Sequence, residues 1–340
     1  TVTAPEKQGT FRIVLKPGVA GESLFLEPIT LFIRVGQAQQ GLNVTVPIIP
    51  FTKTTQAGTN DLIRIGLSFQ GDPMITATGK YKLIAGGKEK ATFNAGDLTQ
   101  VVKEGRSFKV AGSGMSFLLS EPPKFVPEGN SYLMISNYEN RPSWKPELND
   151  NIYKGTLEVH EYNDDLVVVN ELPLEDYLYG LAEIAATDPN EKIKAVIVLA
   201  RSYALYYMTQ DEKFPGAPFH LSDDPERSQK YLGYGFEKRN PTGVKAVKDT
   251  EGMVVTYNDK VIKTPYHSTN AGATKSALEV WGWTHTPYLV GVKDPGCEGL
   301  TPAGHGVGLS GCGSKYWAEQ GKSYQDIIKY YFKGVEVEKR

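Results

Sequence analysis

From Ile193 onward, apolar residues recur at helical spacing: Ile193, Val196, Ile197, Ala200, Tyr203, Ala204 and Tyr207. That period predicts a helix with one apolar stripe. The preceding Asp188-Pro189-Asn190-Glu191 reads as its start. Asp188 is placed as N-cap, Pro189 at the first helical position, and an acid stands three residues after the cap. A shorter helix opens upstream at Pro173, whose missing N–H is an orphan there anyway. A single carboxylate, Glu183, falls at the junction of the two helices. Lys194 and Arg201 are two turns apart, so they share a face away from the stripe.

The first ~150 residues follow the other period. Short β-branched and aromatic runs at Phe11–Leu15, Thr30–Val35, Leu42–Ile49, Leu62–Phe69, Tyr81–Ile84, Phe108–Val110 and Tyr132–Ile135 are separated by Gly, Pro, Asn and Asp. TKTTQAGTN (52–60) is polar and reads as a linker. This divides the chain into a β-rich segment 1–55, the remnant of an immunoglobulin-like β domain, and a β-rich part 60–150. A third part, 151–340, mixes both periods. In it come strands at Gly155–His160 and Leu166–Asn170, the two helices and a long loop. Strands Met253–Tyr257 and Val261–Tyr266 and two C-terminal helices follow. Ser323 to Asp326 forms a capping box for the last helix and Gly334 its C-cap. Strands and helices that segregate rather than alternate predict an α+β fold.

Charge changes the picture little. Lys and Arg number 37 against 39 Asp and Glu, so no bulk field favours nucleic acid. No window of about 18 apolar residues exists, so no membrane span is expected. The opening TVTAPEKQGT does not read as a signal peptide. Two cysteines, Cys297 and Cys312, bracket a Gly-rich stretch. They are either buried free thiols or a disulfide clamp suited to an exported protein. No Cys/His ligand spacing supports a metal. Gly306 to Gly311 formally satisfies GxGxxG, but no βαβ unit surrounds it, so no nucleotide cofactor is expected. Gly308-Leu-Ser310-Gly-Cys312 misses the serine-hydrolase elbow at its last residue.

Three ordered blocks carry a resemblance. They are LPLEDYLYGLAEIAATDPNEKIKAVIVLARSYAL from Leu172, GMVVTYNDKVIKTPYHSTNAGATKSALEVWG (252–282) and GHGVGLSGCG (304–313). Together they resemble the catalytic domain of the stage II sporulation protein D (SpoIID) and amidase-enhancer (LytB) family, over roughly residues 150–334. The chain departs at Ile184-Ala185, Asp188 and Gly311-Cys312, where the family has Met-Pro, Trp and Gln-Trp. Some members carry cysteines beside the histidine of the second block. Thr269 and Asn270 stand there in this chain, so no metal is implied.

The resemblance implies a SpoIID-like domain with antiparallel strands and a two-helix catalytic segment, preceded by residues 60–150 as the β-rich N-terminal part of the same region. It implies a lytic transglycosylase that cleaves peptidoglycan glycan strands with Glu183 as its acid. A protonated carboxyl gives its proton to the glycosidic oxygen. The sugar's own C6 hydroxyl then replaces the second carboxylate of most glycosidases. If a second acid is needed, Asp188, Asp223, Asp224 and Glu279 are the candidates. Lys194 and Arg201 are expected to bind sugar hydroxyls or a carboxylate of the wall polymer, without holding the fold. Ser228, Gln229, Tyr231, His267, Ser268, Thr269, Asn270, His305 and Ser310 are expected to line the groove. Trp281, Trp283 and Tyr288 are either core or a stacking platform for sugar rings. The alternative is a non-catalytic, glycan-binding enhancer of a cell-wall amidase. Either role places the protein outside the cytoplasm.

Overall fold

The computed structural model describes residues 62–142 and 145–340 in full, and for 1–61 only a two-stranded ladder. In that ladder Gly9–Leu15 pairs antiparallel with Ile29–Val35. The expected strand Leu42–Ile49 and the linker 52–60 lie outside the described residues. The chain divides into units 1–53 and 54–340.

The larger unit is α+β, with mostly antiparallel sheets and seven α-helices among the described residues. The first sheet runs Leu221–Ser222, Leu62–Leu67, Asp165–Pro173, Thr156–Tyr162, Lys124–Pro127, Tyr81–Ala85, Lys88–Phe93. Strands from before and after residue 150 therefore share one sheet. Leu62 to Leu67 pairs along the strand ending at Pro173. Residues 62–149 and 151–340 therefore belong to one unit. The apolar faces of both stretches need each other to be covered, so they form one unit. A second, six-stranded sheet contains Ile152–Tyr153, Leu133–Ile135, Met74–Ala77, Thr99–Glu104, Ser107–Gly112 and Met115–Leu119. The sheets meet where the Tyr81 hydroxyl bonds Thr99 Oγ1 at 2.7 Å and donates to the Asp97 carbonyl at 2.8 Å.

Helix α1 (Leu174–Tyr179) leaves the first sheet directly, with Pro173 as N-cap rather than first helical residue. Helix α2 (Asn190–Thr209) has Pro189 as N-cap. Asp188 sits one residue further out, and its carboxylate accepts from the Ala185 N–H at 3.1 Å. The stretch read as a long loop holds two helices, α3 (Gly233–Arg239) and α4 (Pro241–Asp249). Asn240 caps α4 through Gly243 N–H, a signal the sequence carried in Asn-Pro. Helices α5 (Ala277–Trp281), α6 (Gly311–Glu319) and α7 (Tyr324–Tyr331) complete the set. The capping box Ser323–Asp326 is present on α7, but the helix ends at Phe332, ahead of Gly334. The expected strand Val261–Tyr266 is split into Lys260–Val261 and Tyr266–His267.

Helix α2 is the hub. It packs against α1, α4, α6, α7 and the Met253–Tyr257 strand. Its buried residues run from Ile193 through Ala195–Ser202 to Ala204, Leu205 and Tyr207, on every face. A helix covered all round has no single apolar stripe.

Candidate active site

Glu183 is fixed by a short antiparallel bridge between the α1–α2 connection and residues 230–232. Leu181 pairs with Tyr231. Ala182 N–H donates to the Lys230 carbonyl at 2.8 Å, and Leu232 N–H to the Gly180 carbonyl at 2.9 Å. Between them Lys230 N–H donates to Glu183 Oε1. The carboxyl is half-buried and opens into a cleft of 720 Å³. Burial raises its pKa above the usual carboxylate value, and the Lys230 N–H offsets part of that rise.

One wall of the cleft is α2, through Lys192, Val196, Tyr203 and Tyr207. Their spacing of four, seven and four residues is that of one helix face. The opposite wall is the parallel pair Tyr266–His267 and Leu309–Ser310. That pair approaches closely because Gly308 has no Cβ. With φ at +74°, a Cβ there would lie 2.0 Å from the Pro265 carbonyl oxygen. Trp281, Trp283 and His305 line the cleft as a cluster of tilted rings, with Trp281–Trp283 centroids 4.5 Å apart and Trp281–His305 4.8 Å apart. Ser228, Gln229, Ser268, Lys213, Glu226 and Arg227 also line it.

Gln229 is buried beneath this surface. It accepts from the Tyr177 hydroxyl at 2.9 Å and donates to the Tyr266 hydroxyl at 3.0 Å. His267 is held at both ring nitrogens. Nδ1 donates to the Val307 carbonyl at 3.2 Å, and Nε2 accepts from Asn270 Nδ2 at 3.2 Å. Burial lowers its pKa, so the ring is the neutral tautomer that this pairing requires. His305 is lowered to about 4, by burial first and His267 second. Neither ring nitrogen of His267 is open to a ligand, so the ring shapes the wall.

Behind His267, Asn270 Nδ2 also reaches Asp294 Oδ2 at 2.7 Å. Asp294 is fully buried and accepts from Ser310 Oγ at 2.5 Å and Tyr331 OH at 2.9 Å. Ser310 in turn accepts from Gly313 N–H as the N-cap of α6. The structure joins Cys297 to Cys312, Cα atoms 5.3 Å apart, tying the turn after Asp294 to the first turn of α6. Among the described residues no group of His, Cys, Asp or Glu is arranged to hold a metal.

The cleft thus brings together Glu183, Ser228, Gln229, His267, Ser268 and His305. It leaves out Tyr231, Thr269, Asn270 and Ser310. Tyr231 is a core residue whose hydroxyl donates to Asn170 Oδ1 at 2.9 Å. Thr269 Oγ1 donates to the Thr301 carbonyl at 2.7 Å, while Asn270 and Ser310 support His267 from behind. Lys194 lies elsewhere, paired with Glu191 at 2.8 Å. Arg201 is the clearest correction. It is 1% exposed and grips Glu175 of α1 with two bonds of 2.7 and 2.8 Å. A third bond goes to the Met253 carbonyl at 3.1 Å. It holds the fold, because the face predicted to be solvated is covered by α1, α4 and a strand.

The proposed second acids are all committed. Asp188 pairs with Lys192 at 2.7 Å, and Asp223 accepts from the Ser68 N–H and hydroxyl. Asp224 accepts from the Glu226 N–H, and Glu279 closes the capping box of α5 with Ser276. Sequence reasoning missed Lys192, Tyr203, Tyr207, Lys213 and Arg227 in the cleft. Tyr203 and Tyr207 did stand in the apolar stripe, but nothing in the spacing tells a tyrosine that lines a cleft from a core tyrosine such as Tyr177. Tyr288, by contrast, is core.

Residues 162–257 match the family model described as stage II sporulation protein, SpoIID. The matched stretch includes Glu183, α1 and α2. Stage II sporulation protein D of Bacillus subtilis is 24% identical over 259 residues, spanning 50% of this chain and 75% of that protein. The amidase enhancer of Bacillus subtilis is 34% identical over 112 residues, 33% of this chain and 14% of that protein. An uncharacterized protein of Brachyspira hyodysenteriae is 39% identical over 154 residues, and this chain spans 40% of its length. These matches bear out the resemblance to the SpoIID and amidase-enhancer family.

Proposed function

We propose that the protein acts on the bacterial cell wall as a lytic transglycosylase, cleaving peptidoglycan glycan strands with Glu183 as its one catalytic acid. The observation that carries this reading is Glu183 itself, held by a backbone bridge at the base of an aromatic-walled cleft, with its pKa raised by burial. A carboxyl kept protonated donates to the glycosidic oxygen as the bond to the anomeric carbon breaks. The resulting carboxylate accepts the proton of the C6 hydroxyl as that oxygen closes on the anomeric carbon, giving a 1,6-anhydro end. Glu226 is the other acid at the cleft wall, and it is exposed, which favours the more buried Glu183 as the acid. Trp281, Trp283, Tyr203 and Tyr207 offer ring faces for sugars.

A second reading is favoured by the amidase-enhancer match: the cleft holds glycan and presents it to an amidase without cleaving it. Incubation with glycan strands stripped of stem peptides, followed by mass spectrometry, separates the two. New 1,6-anhydro ends support the transglycosylase. Binding without such ends supports the presenting role. The disulfide favours a location outside the cytoplasm, where such bonds persist. Among the described residues no helix is long and apolar enough to cross a membrane.

A further inference from the structure

We propose that Lys213 and Arg227 form a carboxylate-binding subsite at one end of the cleft, seating an acidic group carried by the ligand. For the polymer that bears this carboxylate the proposal rests on the glycan reading above. The anion site itself rests on the charges around the cleft.

The cations there differ in how they are satisfied. Lys192 Nζ is neutralised by Asp188 at 2.7 Å, and the nearby Lys263 Nζ by Asp211 at 2.9 Å. Lys213 makes no ion pair among the described residues, since Asp211, the nearest acid to influence it, is taken by Lys263. Its ammonium lies 5.2 Å from the Tyr207 ring centroid, 5.6 Å from Tyr203 and 5.9 Å from Phe214. Arg227 stands over the same Phe214 ring at 4.9 Å. Two cations without carboxylate partners therefore converge on one aromatic ring. Ring faces recover part of an ammonium's lost hydration, not the whole. Burial lowers the Lys213 pKa, and Lys263 and Arg227 lower it further. A half-buried cation left in this condition favours a bound anion.

Location points the same way. Lys213 lines both the main cleft and an adjoining cavity of 440 Å³. The cavity walls include Phe214, Pro218 and Phe219, with Arg64 and His220 adding polar groups. The exposed Glu212 and Glu226 border these cavities without pairing with Lys213. A glycan strand running past Glu183 toward Lys213 would carry acidic groups at regular intervals. On stripped strands these are the lactyl carboxylates of the muramic residues. On intact strands those are amide-bonded, and the carboxylates belong to the stem peptides. The basic site expected at Lys194 and Arg201 is thus replaced by one formed from a different pair.

The test has two parts. Oligomers of stripped glycan are titrated calorimetrically into the Glu183→Gln protein, which leaves them uncut, with and without Lys213→Gln. The same oligomers with their lactyl carboxylates amidated, and intact strands, serve as further probes. Loss of a charge-assisted bond should weaken carboxylate-bearing oligomers about tenfold or more and leave amidated ones unchanged. An effect on intact strands alone assigns the carboxylate to the stem peptide. Equal weakening of charged and amidated oligomers, or none, overturns the subsite. Separately, sodium lactate is titrated into the unsubstituted protein while lysine side-chain amines are followed by NMR. The Lys213 signal should shift well beyond that of Lys192. No shift overturns the anion site, whereas a shift without any glycan binding overturns the glycan reading alone.

Discussion

Burial lifts the Asp223 carboxyl from its usual 3.8 to about 6, even though Ser68 donates to it twice. The folded state therefore holds this proton more tightly than the unfolded chain. Its stabilising contribution is full below about pH 4 and declines as pH rises through about 6. Asp223→Asn removes the decline. Its stability relative to the parent, from urea unfolding, should improve by roughly 2–3 kcal/mol between about pH 4 and about pH 7. Arg201 gives a second residue-scale expectation. Arg201→Ala would leave the largely buried Glu175 without its ion-pair partner, costing about 3–5 kcal/mol in the same assay. Glu183 was legible in the sequence because a local motif fixes it between two helices. The role of Arg201 was not, since nothing within its own helix shows that Glu175 of α1 reaches it.

At the scale of elements, α2 shows why one half of the site was readable and the other was not. Period 3.6 marks the helix, but it assigns an outside only when one face meets water. Here neighbours cover the face carrying Arg201, while Lys192, Tyr203 and Tyr207 face the cleft. The short strands Met74–Ala77, Lys88–Phe93, Thr99–Glu104, Met115–Leu119 and Lys124–Pro127 escaped notice for a related reason. Runs of four to six residues, two of them half Lys, Glu and Gln, owe their strand state to partners across the sheet. The tight pairing of Tyr266–His267 with Leu309–Ser310 depends on Gly308. Gly308→Ala combines a positive φ with a backbone clash, and is expected to cost more than about 3 kcal/mol. A lowered melting temperature with glycan binding lost would accord with that. An unchanged melt would show that the strands separate without cost.

Across the whole molecule, the disulfide closes a 15-residue separation around His305, Gly308 and Ser310. In the chain-entropy model that is worth about 3 kcal/mol, and Cys297→Ser with Cys312→Ser should lower stability by about that amount. The α+β class was readable from the two periods alone, but α3, α4 and the short strands were not. The shared sheet that joins residues 62–149 to 151–340 was not readable from periodicity, because it rests on Leu62–Leu67 pairing with a strand some hundred residues later. The account as a whole turns on one proton. Glu183→Gln keeps the shape and the bond from Lys230 but has no proton to give. The decisive measurement is the rate at which stripped glycan strands acquire 1,6-anhydro ends with each protein. The account predicts an active parent and a variant slower by about 10²–10⁴ at an unchanged melting temperature. A variant as fast as the parent would contradict it.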